Sequence, residues 1–105
     1  LKIKEHSKLD EVLPETDVIY VTRIQRERFP DVQEYEKVKG TYTIDENTLA
    51  KSKSDIAVMH PLPRVDEISH SVDHTKNAIY FKQASYGKEL RAALLALMLN
   101  ENLSR

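Results

Sequence analysis

Apolar positions in this chain fall into short blocks separated by long polar stretches. Three blocks have the make-up of strands: Val18-Ile19-Tyr20-Val21-Thr22, Ile56-Ala57-Val58-Met59 and Ala78-Ile79-Tyr80-Phe81. The first is β-branched and aromatic with almost no polar residue. That is the pattern of a strand buried on both faces, and such strands belong to parallel sheets. Lys2–His6 alternates polar and apolar and predicts a further short strand. Ser7, with Asp10 three residues on, resembles a helix N-cap and predicts a short helix over Lys8–Leu13, ended by Pro14. Asp45 can cap a helix running to about Lys53. Ser85–Asn100, rich in Leu and Ala, is the strongest helical segment. Arg23–Tyr42 contains Pro30 and reads as irregular. His60–Asn77 contains two prolines and reads as a long loop.

Strands alternating with helices predict an α/β fold, a three-layer, Rossmann-like domain with a parallel sheet. In such sheets ligands sit beyond the carboxyl ends of the strands. Two polar segments leave strands at those ends: Thr22-Arg23-Ile24-Gln25 and His60-Pro61-Leu62-Pro63. The last helix adds a second inference. Leu90, Ala92, Ala93, Leu94, Leu95, Ala96, Leu97, Met98 and Leu99 cover nearly every face, and a helix apolar all round must be buried on all sides. Three short strands and two other helices offer little to cover it. The domain is therefore expected to be incomplete in this chain, and a first residue of Leu1 points the same way.

Composition narrows the classes. The chain has 105 residues, one domain's worth at most. A net charge of −1 argues against a dedicated nucleic-acid or anionic-membrane binder. Cysteine is absent, which excludes disulfides, thiolate metal sites and cysteine nucleophiles and favours an intracellular protein. Two glycines, Gly40 and Gly87, are too few for a glycine-rich phosphate loop. The start carries no apolar core of the signal-peptide kind, and the apolar run Ala92–Leu99 falls far short of a membrane span. A cytoplasmic protein is expected.

Chemistry concentrates in the two strand-end segments. The Arg23 guanidinium presents a planar fork that matches a carboxylate. Gln25 adds a neutral donor and acceptor, and Glu27 can hold Arg23 in place, so the cluster can grip a small dicarboxylate. The alternative is a set of solvated surface pairs. In the second segment Pro61 and Pro63 have no amide hydrogen and restrict the residues before them to extended geometry. Such a loop offers fixed carbonyl oxygens to a ligand with amine or amide hydrogens; equally, it can be a rigid turn.

Tyr20-Val21-Thr22-Arg23-Ile24-Gln25-Arg26-Glu27-Arg28 and His60-Pro61-Leu62-Pro63-Arg64-Val65-Asp66-Glu67-Ile68 resemble the two signature segments of the aspartate-binding domain of aspartate carbamoyltransferases. Tyr80-Phe81-Lys82-Gln83-Ala84 and the Arg-Ala-Ala-Leu-Leu-Ala-Leu run after it resemble that family's C-terminal helix. The likeness runs along essentially all 105 residues, as the C-terminal portion of that domain. The sister ornithine carbamoyltransferases normally carry a cysteine in the loop corresponding to His60–Pro63 and a different motif after the first strand.

The resemblance implies attack of the aspartate α-amine on the carbonyl carbon of carbamoyl phosphate, giving carbamoyl-aspartate and phosphate in pyrimidine biosynthesis, with no metal or organic cofactor. It implies that Arg23 binds an aspartate carboxylate with help from Gln25, that Glu27 orients Arg23, and that Arg28 bridges toward the partner domain on closure. Thr22 belongs to the same motif. Pro61 and Leu62 would present carbonyls to the substrates, with Leu62–Pro63 cis. Phe29–Thr43 would be the mobile segment, with Glu34 and Tyr35 in its switching contacts and Tyr35 paired with Asp66 in the open form. The family's Ser-Thr-Arg-Thr-Arg phosphate motif, its lysine loop and its carbonyl-polarising histidine are not among these residues. They belong to an N-terminal carbamoyl-phosphate domain, so the chain alone is expected to be inactive. Homotrimers, and in some cases regulatory subunits, are further implications.

Other candidates carry less. His70 and His74, with Asp73 between them, have a metal-compatible spacing, but Ser69–Lys76 is polar without apolar periodicity and reads as a solvated loop. His60 reads as a packed structural histidine. Ser71 and Ser85 have no evident triad partners. The rival class is a non-catalytic module that binds an anionic metabolite through Arg23 and docks a partner on its last helix.

Overall fold

The computed structural model describes residues 1–38 and 42–100. Strand β1 (Val18–Tyr20) is followed by helices α1 (Val32–Val38) and α2 (Glu46–Ala50), strand β2 (Ala57–Met59) and helix α3 (Tyr80–Leu99). Short 3₁₀ segments lie at Leu9–Glu11, Leu13–Glu15, Arg26–Arg28 and His70–His74. β1 and β2 pair in parallel, with Val18, Ile19 and Tyr20 opposite Ala57, Val58 and Met59. Parallel pairing demands a long crossover, and here it carries α1 and α2. The core lies against one face of this sheet: Val21, Ile44, Val58, Ile68, Val72 and Tyr80 are buried together, with Leu9, Ile19, Leu49, Leu62 and Ala78 packed around them.

The parallel α/β arrangement agrees with the sequence reading, and several local expectations do not. The third block does not form a strand. Ala78 makes a single parallel bridge to Val58, and Tyr80 and Phe81 open α3 instead. Tyr80 is fully buried, and its position in the first turn of the helix is what carries its ring into the core. β1 is not covered on both faces: Val18 and Tyr20 are 51% and 54% exposed. Among the described residues, no element lies over that face. Lys2–His6 is exposed and unpaired with the sheet. Ser7 caps nothing; the expected helix is two 3₁₀ turns, and Pro14 sits at the start of the second, where a missing N–H is harmless.

Two stretches read as irregular contain helix. Asp31, after Pro30, starts α1: its side chain accepts the Gln33 N–H at 3.0 Å and its carbonyl accepts the Tyr35 N–H at 3.3 Å. Ser69 opens the 3₁₀ segment at His70–His74. The Asp45 cap is as expected: Thr48 N–H donates to its carboxylate at 2.9 Å, and Asp45 N–H donates to the Thr48 hydroxyl at 3.3 Å. The helix it starts is shorter than anticipated and ends at Ala50.

α3 begins five residues before Ser85. Only its first turns dock on the core; from Lys88 onward every described residue of the helix is exposed, including Leu90, Leu94, Leu95, Leu97, Met98 and Leu99. The projecting helix gives a radius of gyration of 17.3 Å, against about 13 Å for a compact domain of this length. No helix among the described residues is long and apolar enough to cross a membrane.

Candidate functional site

The parallel register decides what meets at the carboxyl ends of the strands. Val21 N–H donates to the Met59 carbonyl at 2.9 Å, so Thr22-Arg23 and His60-Pro61 leave the sheet side by side. Arg23 Nη2 lies 3.0 Å from Glu27 Oε1, so the two residues pair. A backbone hydrogen bond at Glu27 and the Arg23 guanidinium hold the Glu27 carboxyl below the usual carboxylate range. The Gln25 carbonyl accepts the Arg28 N–H at 3.1 Å, closing the 3₁₀ turn. Thr22 gives its carbonyl to the Tyr42 hydroxyl at 3.1 Å. Arg28 and Glu34 are exposed, whereas Tyr35 is buried with its ring edge-on to Phe29 at 5.7 Å. Residues 39–41 of the Phe29–Thr43 segment lie outside the described residues.

The loop after β2 is tightly organised. The Leu62–Pro63 bond is cis, and Leu62 adopts φ 51°. This left-handed conformation costs a non-glycine residue about 1 kcal/mol or more, and the surroundings must compensate. They do so through backbone amides. The His60 N–H donates to Gln83 Oε1 of α3 at 3.1 Å. The Leu62 N–H donates to His60 Nδ1 at 2.8 Å. Val65 and Asp66 N–H groups donate to the Glu67 carboxylate at 3.1 and 2.8 Å. His60 Nε2 lies 3.0 Å from Glu67 Oε1, with both residues buried. Because Nδ1 accepts, Nε2 carries the ring proton and donates to Glu67. Burial pushes the Glu67 carboxyl up, but the hydrogen bonds from its own amide, Val65, His60 and Asp66 outweigh it and hold the acid below its ordinary value. His60 is thus packed and structural, as expected.

A second cluster braces the far end of this loop. Arg64 Nη2 lies 2.6 Å from Asp73 Oδ2 and 2.6 Å from His70 Nδ1, while Nη1 meets Asp73 Oδ1. Arg64 also donates to the Tyr80 hydroxyl at 3.2 Å, which in turn donates to Asp73. Arg64 holds the Asp73 carboxyl far below the carboxylate range. Burial and the neighbouring Asp73 push Tyr80 up to about 12. Asp73, between the two histidines of the metal-compatible spacing, is therefore spent on a guanidinium.

The sheet brings the two segments together, but contact stops at the backbone. Among the described side chains of Thr22–Gln25, Glu27 and Arg28, no hydrogen bond or ion pair reaches His60–Ile68. A cleft of about 670 Å³ is lined by Lys8, Asp10, Tyr20, Thr22, Tyr42 and Thr48 among others. It reaches the site only through Thr22. At the strand-end rim the Arg23 segment leaves the sheet next to a loop whose His60, Leu62, Val65 and Asp66 amides are bonded within the fold. Sequence reasoning gave no bracing role to Glu67, Arg64 or Gln83, weighed Asp73 only in a metal-compatible spacing and read Tyr80 as part of a strand. A partial signal for the first was available: Glu67 follows His60 by seven residues, across two prolines compatible with a rigid turn.

A family model described as aspartate/ornithine carbamoyltransferase, Asp/Orn binding domain, matches residues 1–98. The aspartate carbamoyltransferase catalytic subunit of Haloarcula marismortui is 63% identical over 97 residues, 92% of this chain and 32% of the relative. That of Nitrosopumilus maritimus is 57% identical over 102 residues, 97% of this chain and 33% of the relative. Among solved structures, the catalytic subunit of M. jannaschii aspartate transcarbamoylase superposes with a TM-score of 0.73 at 47% identity, covering 94% of this chain and 32% of that one. Aspartate transcarbamoylase from Trypanosoma cruzi in complex with carbamoyl phosphate and aspartate gives 0.65 at 44% identity, over 74% of this chain and 26% of that one. The chain spans about a third of the length of the curated relatives it matches.

Proposed function

Because the chain belongs to the aspartate/ornithine carbamoyltransferase family, we propose that it is the C-terminal portion of the aspartate-binding domain of an aspartate carbamoyltransferase catalytic chain. The reaction is attack of the L-aspartate amine on the carbonyl carbon of carbamoyl phosphate. A C–N bond forms, phosphate leaves with the C–O bonding pair, and the amine gives up a proton. Catalysis of this kind is positioning and charge stabilisation, and it needs no metal or organic cofactor. Residues 1–105 supply the aspartate side of the site. The groups that grip carbamoyl phosphate come from a separate carbamoyl-phosphate domain.

Arg23 takes an aspartate carboxylate through its planar fork, Gln25 adds a neutral hydrogen bond, and Glu27 keeps the fork aimed. Pro61 and Leu62 turn carbonyls to the carbamoyl nitrogen and the attacking amine, and Pro63 fixes the turn. Arg28, Glu34, Tyr35 and Asp66 serve domain closure, with Tyr35 and Asp66 paired in the open form. The working enzyme is a cytoplasmic homotrimer in the pyrimidine pathway that can carry regulatory subunits.

The observation that supports this reading most is the hydrogen bond from Val21 to Met59, which sets the arginine segment and the diproline loop next to each other at the strand ends. The test is an assay of the full-length polypeptide with aspartate and ornithine in parallel. Carbamoyl-aspartate formation at least 100-fold faster than citrulline formation is expected. Preference for ornithine, or no transfer to either, overturns the proposal.

A further inference from the structure

We infer that His60 is a positioning residue for carbamoyl transfer, acting through the Leu62 amide to aim the Pro61 carbonyl at the reacting groups. The inference rests on the carbamoyltransferase reading and extends it to a buried side chain.

The argument starts from the peptide plane. The Pro61–Leu62 bond is trans, the cis bond being the next one. In a trans peptide the N–H and C=O point in opposite directions. The Leu62 N–H is fixed on His60 Nδ1 at 2.8 Å. The Pro61 carbonyl is therefore directed away from the buried ring, and Pro61 itself is exposed. One hydrogen bond sets both groups.

The acceptor needs a defined tautomer. A neutral imidazole accepts at one nitrogen and donates at the other. Glu67, held as a carboxylate by the Val65 and Asp66 amides, offers only acceptors to Nε2. This places the ring proton on Nε2 and leaves Nδ1 bare for Leu62. The His60 amide is itself anchored on Gln83 of α3. The N–H groups of His60, Leu62, Val65 and Asp66 are all turned inward, and Pro61 and Pro63 have none. Among the described residues, no donor reaches the Pro61 or Leu62 carbonyl. The loop is thus an acceptor surface facing outward, and His60 is the side chain that orients its centre.

Two near-isosteres separate this role from packing. In His60→Asn the amide oxygen lies near the position of Nδ1 and can still accept from Leu62, while the link to Glu67 is lost. In His60→Gln the carboxamide reaches Glu67, while Leu62 loses its acceptor. The full-length enzyme is assayed for kcat, for KM of both substrates and for Tm. His60→Asn should keep kcat within about fivefold of wild type, and His60→Gln should lose at least 30-fold in kcat, with the aspartate KM moving less than threefold in each. Equal losses in the two variants of an active enzyme, or losses that track Tm, overturn the inference alone. A wild-type enzyme inactive toward aspartate and ornithine overturns the carbamoyltransferase reading and the inference with it. Nitrogen-15 NMR of histidine-labelled wild-type protein tests the tautomer without any variant: an unprotonated Nδ1 is expected, and a protonated one overturns the inference.

Discussion

Arg64 and Asp73 form a two-pronged ion pair, one prong at 2.6 Å, that ties the loop after β2 to the 3₁₀ segment before α3. Both side chains are largely buried, and the Tyr80 hydroxyl completes the group. The pair therefore links the candidate site to the helix that follows it.

Acid should release this link. The folded Asp73 carboxyl lies below its ordinary value of 3.8, chiefly through Arg64, and Glu67 lies below 4.5 through its amide bonds despite burial. A group whose folded pKa is depressed stabilises the fold above its unfolded pKa and loses that contribution as pH falls through the folded one. Stability should thus be level above about pH 4.5 and decline below it. In Asp73→Asn the decline below pH 3.8 should be shallower. Denaturant midpoints between pH 2 and 7 check this; an unchanged acid limb in the variant would refute it.

Alkali acts on the same group from the other side. Tyr80 is raised from 10 to about 12 by burial and by Asp73. Here the sign reverses: the contribution is complete below pH 10 and disappears as pH rises toward 12. Ultraviolet titration should show a tyrosine that ionises near pH 12, and Tyr80→Phe should remove that step. Loss of a different step in the variant would contradict the assignment.

The Arg23–Glu27 pair predicts a graded series. Arg23→Lys replaces a fork with a point charge and should raise the aspartate KM roughly 10- to 100-fold, the range of one charge-assisted hydrogen bond. Glu27→Gln should have a smaller effect, because the pair is largely exposed. The carbamoyl phosphate KM should move less than threefold in both. A larger change for carbamoyl phosphate than for aspartate would count against the aspartate-binding role.

Much of this site was legible because its determinants are local. Strand ends and diproline turns are written in consecutive residues, so Thr22–Arg28 and His60–Pro63 are recognisable from the sequence. The Asp45 cap was equally local. What escaped depends on distant partners. Tyr80 and Phe81 have strand-like side chains, yet burial of Tyr80 against Asp73 and Arg64 places them in a helix. Glu67 reads as a surface acid until His60 and two backbone amides surround it. Val18 and Tyr20 mark a strand that expects cover on both faces, and the described residues cover one.

α3 makes a prediction about association. Its outer turns expose Leu90, Leu94, Leu95, Leu97 and Met98 on a helix anchored only at its start. Contiguous apolar surface of this kind drives self-association. The purified 105-residue chain should sediment as oligomers at micromolar concentration. Leu94 and Met98 lie four apart on one face, and changing both to Gln, a good helix former, should shift the distribution toward monomer. A monodisperse wild-type monomer would rule the prediction out.

The same chain should not turn over. In the proposed site Arg23 and the Pro61 and Leu62 carbonyls would hold a carboxylate and an amine, but acceleration of an acyl transfer requires the second reactant to be held against the first. Such pre-orientation corresponds to effective concentrations of about 10⁵ M or more. The Ser-Thr-Arg-Thr-Arg phosphate motif that would supply it is not among these residues. With one half of the grip, aspartate affinity should be no better than about 1 mM, and carbamoyl-aspartate formation should match the uncatalysed rate. Calorimetry with aspartate and a radiolabelled carbamoyl phosphate assay on the 105-residue chain give the two readouts. Turnover above background would mean that the phosphate grip is built from residues within this chain, and the division of labour proposed for the site would fall.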